Sequence, residues 1–359
     1  MTTRLLRIDA QHPEPEVIAD AARVIQDGGL VAFPTETVYG LGADALNAQA
    51  VAGIFAAKGR PADNPLIVHI ADVEQLAELV AELPPAVDVL ARHFWPGPLT
   101  LVLPRKPRVP DAVTAGLDTV AVRMPDHAVA LALIRASRRP IAAPSANLSG
   151  RPSPTEARHV WEDLAGRIDV ILDGGPCRIG VESTVLDLTA ERPTILRPGA
   201  ITPEHLAPFL GAVRVHPAAA GVEHAASAEA AAEPVRSPGM KYRHYAPRTP
   251  CILYEGDAAA IARAVAQRVA QERAAGKRVA VLATAENAPA YDADVVYVAG
   301  RRAEPETVAR ELYRSLRRLD EAGVDLIIME GVDPTGIGEA IMNRMRRAAG
   351  HRVVFVGRG

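Results

Sequence analysis

The 359-residue chain predicts an α/β protein in two parts: a larger N-terminal domain of interleaved strands and helices, and a smaller C-terminal domain with a Rossmann-like, doubly wound parallel sheet. Three observations point there. Short apolar runs alternate with amphipathic helical patterns up to about residue 205. Residues 206–249 then turn alanine-rich and afterwards proline-, glycine- and base-rich, without a strand period. From Cys251 onward, short apolar runs recur with helical stretches between them.

The first element is a helix over 16–28, where Val17, Ile18, Ala21, Val24 and Ile25 recur at helical spacing before a glycine. A strand over 29–33 follows and stops at Pro34. Further strands are expected at 65–70, 99–103, 119–123, 140–143, 169–173 and 183–188, with helices at 48–58, 73–82, 84–94, 127–136 and 155–164 among them. In the C-terminal part "CILYE", "RVAVLA", "DVVYVAG", "DLIIME" and "RVVFVG" read as strands, and 257–275, 306–322 and 337–349 as helices.

Composition narrows the function. A formal net charge of -3 argues against a protein that coats nucleic acid with a continuous basic surface, which relies on many phosphate contacts. Cys177 and Cys251 lack CxxC company, so neither a disulfide framework nor a zinc site is expected, and both read as packed thiols. No run of eighteen apolar residues and no signal-like start is visible, so the expected location is the cytoplasm, away from membranes.

The chemistry-bearing residues sit where apolar runs end. "PTETVYGLG" packs Thr35, Glu36, Thr37 and Tyr39 after the first strand, with glycines at 40 and 42 allowing a tight turn. Such hydroxyls also serve as ordinary caps. "KGRPADNP" places Lys58, Arg60 and Asn64 beyond a helix C-terminus, where cations are common for dipole reasons alone. His69 lies in an otherwise apolar strand, and Arg123 and Arg197 each end one. If these ends share a rim, four cations converge on a strongly anionic ligand, and a nucleoside triphosphate is the commonest. It would be held by side chains, because no GxxxxGK[ST] and no complete GxGxxG fingerprint is present. "APSANLSG" adds Ser145, Asn147 and Ser149, and "VESTV" adds Ser183 and Thr184. With no Gly-x-Ser-x-Gly elbow, HExxH or Cys-His dyad, catalysis by positioning and charge neutralisation fits better than a nucleophile or bound zinc.

In order along the chain, "FPTETVYGLG", "KGRPADNPLIVHI", "FWPGPLTLVL", "VAVRMP", "PSANLSG", "VESTVLDL" and "ILRPGAI" resemble the YrdC-like family in its two-domain form, the threonylcarbamoyl-AMP synthases. The resemblance continues through "SPGMKYRHYAPR" and "GIGEAIMNRMRRAA". It implies a twisted mixed-sheet catalytic domain over 8–205, a linker and active-site lid over 206–249, and a Rossmann-like domain over 250–359. It further implies condensation of L-threonine, bicarbonate and ATP to threonylcarbamoyl-AMP and pyrophosphate, with Mg2+ accompanying ATP. A downstream tRNA threonylcarbamoyl transferase would receive the product, with any contact between this chain and tRNA transient.

By the same resemblance Thr37, His69, Arg123, Ala143 and Ser183 match threonine-contacting positions. Lys58, Arg60, Asn64, Thr119, Ser145, Ser153, Arg197 and Tyr245 match positions associated with ATP, and Lys58, Arg60, Ser145 and Asn147 match a catalytic basic and polar tetrad. Lys58 and Arg60 are expected on an exposed rim, and no dedicated protein base is evident. Two rival readings exist. An RNA-binding module is disfavoured by the charge balance and the lack of RNA-reading aromatic motifs. A metal-centre carbamoyltransferase would need zinc-finger motifs and further domains.

Overall fold

The computed structural model describes residues 2–220 and 245–357. It divides into two compact units, the first comprising Met1–Ser149, Ser153–Arg178 and Glu182–Lys241, the second Gly150–Pro152, Ile179–Val181 and Tyr242–Gly359.

The strands of the first unit are β1 (Arg4–Arg7), β2 (Val31–Phe33), β3 (Gly40–Asp44), β4 (Ile67–His69), β5 (Leu99–Pro104), β6 (Thr119–Arg123), β7 (Ile141–Ala142), β8 (Val170–Asp173), β9 (Thr184–Asp187), β10 (Thr194–Arg197) and β11 (Arg214–Val215). They form one mixed sheet in the order β1-β8-β2-β3-β7-β4-β6-β5-β9-β10-β11. Both faces are covered, which is why the strands read as apolar runs and not as alternating patterns. In β2, Val31 and Phe33 pack with Ile18, Ala21 and Ile25 of helix Pro15–Gln26, whereas Ala32 and the preceding Leu30 face a second core with Val51 and Ile54 of helix Ala48–Lys58. Asn47 caps that second helix, its side chain accepting from the N–H groups of Gln49 and Ala50, which begins it sharply before the apolar positions.

Several expectations need correction. Gly40 and Gly42 do not make a turn; they lie in β3, paired antiparallel with β2. A Cβ on Gly42 would come within 2.7 Å of both Ile141 and the Phe33 ring, so the residue is needed for close approach. The helix expected over 73–82 is a 3-10 turn, Val73–Gln75, and a short helix, Leu76–Leu79. Residues 206–220, assigned to the linker, are folded: helix Pro203–Leu210 runs across the expected boundary, β11 pairs parallel with β10, and Pro217–Ala220 is helical. The rest of the linker through His244, with most of the expected lid, lies outside the described residues.

The second unit holds β12 (Cys251–Gly256), β13 (Val279–Thr284), β14 (Val295–Gly300), β15 (Leu326–Glu330) and β16 (Val353–Val356), all parallel, in the order β14-β13-β15-β12-β16. The chain first moves one way across the sheet and then returns. Helix Ala258–Ala274 packs on β12, β13 and β15, while Pro305–Glu321 and Ile337–Ala348 pack on each other and on β13, β14 and β12. A reversal of direction with right-handed crossovers puts helices on both faces. Cys177 and Cys251 are free and buried.

Candidate active site

Cross-strand register assembles the first part of the site. His69 of β4 lies opposite Arg123 of β6, and Arg123 lies opposite Thr100 of β5. Residues directly opposite one another present their side chains on the same face. Thr100 then hydrogen-bonds Ser183, Oγ1 to Oγ, at 2.8 Å. Arg197, ending β10, donates from Nε to the Ser183 carbonyl and from Nη2 to its hydroxyl, both at 3.1 Å. The result is a buried row, His69–Arg123–Thr100–Ser183–Arg197, crossing adjacent strands.

The loop between β2 and β3 supplies Thr37, whose hydroxyl accepts from Arg123 Nη1 at 3.0 Å. Thr35 braces the loop by donating to the Val38 carbonyl at 2.7 Å and accepting from Thr37 N–H. Past the loop the chain reaches the second part of the site: Gly40 bridges to Ser145, and Ala146 N–H donates to the Tyr39 carbonyl. There Lys58 Nζ donates to the backbone carbonyls of Ser145 and Asn147, and Ser145 Oγ donates to Asn147 Oδ1 at 2.6 Å. Ala143 is buried beside them, its N–H on the Ile67 carbonyl.

Arg60 is half-buried and curls over the following turn, donating to the carbonyls of Asn64 and Pro65. Asn64 is buried, and neither its amide nitrogen nor its amide oxygen has a hydrogen-bond partner in the protein. Unmade hydrogen bonds of buried groups cost about 1–3 kcal/mol, so such a residue is better understood as serving a ligand than as serving the fold. Thr119 opens β6 at the end away from Arg123. Ser153 Oγ donates to the carboxylate of buried Glu182 at 2.6 Å.

Tyr245 belongs to the second unit, with a left-handed backbone, φ 64°. Its ring stacks on Tyr313 at 5.4 Å, and the Arg344 guanidinium lies 5.6 Å from its centroid.

The electrostatics differ from a rim of four free cations. Lys58 is only 2% exposed, so the exposed-rim expectation fails for it: its charge is held by carbonyl dipoles inside the protein. Arg123 is paired with Glu36, Nη2 to Oε2 at 2.5 Å, and both are buried. His69, packed edge-on to Phe33, is held neutral: burial, and then the Arg123 charge, lower its pKa to about 3. Burial likewise pushes the Tyr39 phenol well above its usual value, and its hydroxyl donates to the Gly175 carbonyl. Sequence reading noted Glu36 only as the loop's carboxylate, without a role, and missed Thr100 and Glu182, each behind a candidate residue. The signal available was an acidic or hydroxyl side chain inside the same motifs, "PTET", "PLTL" and "VEST". What the arrangement offers is a buried row of hydroxyls between two oriented guanidiniums, Arg123 and Arg197, next to a polar loop backed by Lys58.

A mixed-sheet unit carrying this site, followed by a small parallel-sheet unit, defines a two-domain protein of the YrdC-like class. Residues 23–199 match the Sua5/YciO/YrdC family model, described as telomere recombination, and residues 201–350 match the model of the threonylcarbamoyl-AMP synthase C-terminal domain. A threonylcarbamoyl-AMP synthase of Pyrococcus abyssi is 52% identical over 336 residues, covering 94% of this chain and 95% of the relative. One of Bacillus subtilis is 53% identical over 339 residues, covering 94% of each. The crystal structure of P. abyssi Sua5 complexed with L-threonine superposes with a TM-score of 0.92 at 50% identity, covering 98% of this chain and 99% of that one. The chain belongs to the threonylcarbamoyl-AMP synthase family.

Proposed function

We propose that the chain is an L-threonylcarbamoyladenylate synthase, a nucleotidyltransferase that converts L-threonine, bicarbonate and ATP into threonylcarbamoyl-AMP and pyrophosphate. The observation that carries this reading is the buried row of Arg123, Thr100, Ser183 and Arg197 beside Thr37, in a family whose members bear that name. Threonine carries a carboxylate, an ammonium and a hydroxyl. Arg123 suits the carboxylate, and Thr37, Ser183 and neutral His69 offer hydrogen bonds to the rest.

The amine adds to bicarbonate, losing water to give a carbamate. A carbamate oxygen then attacks the α-phosphorus of ATP, and the bond to the β-phosphate oxygen breaks. Charge grows on the departing pyrophosphate, and Lys58, Arg60 and Arg197 are the candidates to neutralise it, with Ser145, Asn147, Asn64, Thr119 and Ser153 orienting the nucleotide. Among the described residues no group of three or more His, Cys, Asp or Glu converges as a metal site. A Mg2+ accompanying ATP would be carried mainly by the phosphates and water and would supply further charge neutralisation. Tyr245 is a further candidate ATP contact, by the family resemblance alone.

The adenylate is read as feeding a tRNA threonylcarbamoyl transferase in the cytoplasm, with tRNA touching this chain transiently if at all. No helix among the described residues is long and apolar enough to cross a membrane. Family membership favours this enzyme over an RNA-binding module. The test is pyrophosphate release from ATP, screened across amino acids with and without bicarbonate. Release should need both threonine and bicarbonate. Valine should be rejected strongly because the site hydrogen-bonds a hydroxyl, whereas serine, lacking one methyl, should lose only about 1–3 kcal/mol. Equal turnover without an amino acid or with valine would overturn the reading.

A further inference from the structure

We propose that Glu36 is a positioning residue that sets affinity for the amino-acid substrate by holding the Arg123 guanidinium in place; this rests on the threonine reading above. Glu36 is only 1% exposed, and burying a carboxylate costs several kcal/mol unless it is well compensated. Its Oε2 is ion-paired with Arg123 Nη2, and neither of its buried oxygens accepts a hydrogen bond of ordinary geometry from the protein. A pair kept for stability alone would be expected to satisfy both oxygens, so the arrangement is better explained by what it does to Arg123.

The donor count shows what that is. A guanidinium has five N–H groups in a rigid fork. Arg123 directs Nε to the Gly97 carbonyl at 3.2 Å and one N–H of Nη1 to Thr37 Oγ1 at 3.0 Å, while Nη2 is held 2.5 Å from Glu36 Oε2 as an ion pair without hydrogen-bond geometry. One N–H of Nη1 and the N–H groups of Nη2 are left, which supplies the donor pair that takes a carboxylate through two parallel hydrogen bonds. Glu36 and Thr37 are adjacent in the chain yet brace different terminal nitrogens, so the loop between β2 and β3 sets the rotation of the fork. Without the Glu36 charge, Nη2 loses its anchor and the fork swings about Nε.

The experiment measures threonine affinity by calorimetry and steady-state pyrophosphate release for full-length wild type, Glu36→Gln, Glu36→Asp and Glu36→Ala, with unfolding temperatures alongside. Glu36→Gln, which keeps the shape and removes the charge, should weaken threonine binding and raise its KM about tenfold or more, with kcat and the KM for ATP within about threefold. Glu36→Asp should recover part of the loss. Adding Arg123→Lys to Glu36→Gln should cost little more than Arg123→Lys alone, because the two act as one unit. Unchanged threonine affinity in folded Glu36→Gln overturns the proposal, as does a uniform fall in kcat that tracks lost stability. Should Glu36→Ala not fold, the Gln and Asp variants carry the test. A wild-type protein showing no threonine-dependent release would instead overturn the proposed function, so the two failures are distinguishable.

Discussion

At Lys58 the ammonium is buried, and what stabilises it is a pair of carbonyls from a different loop, those of Ser145 and Asn147. The same contact therefore holds the charge and shapes the "PSAN" turn, so Lys58 cannot be lost without disturbing Ser145 and Asn147. His69 shows burial acting in the other direction. Desolvation and the neighbouring Arg123 charge depress its pKa from about 6.5 to about 3, so the folded protein leaves it neutral where the unfolded chain would protonate it. Between those values the unfolded state binds more protons, and stability is lost as pH falls from about 6.5 toward 3, by up to about 1.4 kcal/mol per pH unit for this one group. His69→Gln should flatten that part of the profile, measured as urea midpoints at a series of pH values from neutral downward. If the acid limb keeps its full slope in the variant, His69 is not its source.

Among the elements, the turn after β10 shows how tightly two neighbours fix the row of site residues. A Cβ on Gly199 would lie 2.3 Å from the Thr184 backbone nitrogen and 2.7 Å from the Ser183 carbonyl carbon, both backbone atoms that cannot swing aside. Thr184 Oγ1 in turn donates to the Ile201 carbonyl at 2.6 Å and ties the turn to the start of β9. Gly199→Ala should thus push β9 and β10 apart at Ser183 and Arg197, raising the threonine KM about tenfold or more and costing about 1–3 kcal/mol of stability. A variant with wild-type kinetics and unfolding would show that the turn relaxes freely.

The same geometry explains what could be read in advance. Apolar runs marked β4, β6 and β10, so Arg123 and Arg197 were legible as strand ends and His69 as the polar residue of an otherwise apolar strand. β3 was not, because "GLGAD" has neither a β-branched residue nor alternation, and it pairs only because glycine lets Phe33 and Ile141 approach. β1 was missed because "RLLR" is exposed on most of its length and carries little apolar pattern. Glu36 and Thr100 were visible as letters but not as functions, since their partners are set by cross-strand register and not by chain neighbours.

At the scale of the whole molecule, the second unit has a polar centre of its own. A cleft of about 740 Å3 lies at the carboxyl ends of its parallel strands, lined by Glu255, Asp257, Glu286, Arg302, Asp333 and Phe355 among others. Next to it is Glu330, the last residue of β15 and fully buried, which accepts from Thr284 N–H and Oγ1 at 3.0 Å, Asn287 Nδ2 at 2.5 Å and Arg302 Nη2 at 2.5 Å. Tyr291 also donates its phenol to Glu330 at 3.3 Å, and burial, followed by the Glu330 charge, raises that phenol's pKa. One carboxylate thus ties together the end of β13, the turn after it, the loop after β14, and β15. A buried, paired carboxylate adds little against a hydrophobic replacement of the whole pair, but removing one partner leaves the others unsatisfied in low dielectric. Glu330→Ala should therefore cost about 3–5 kcal/mol. Arg302→Met should cost a comparable amount, because it strands the carboxylate. The double variant Arg302→Met with Glu330→Leu should cost well under the sum, with a residue of loss from Thr284, Asn287 and Tyr291. Urea unfolding of the full chain, followed by circular dichroism and fitted for more than one transition, measures all three. Additive losses, or a Glu330→Ala variant as stable as wild type, would mean that the cluster does not act as one unit.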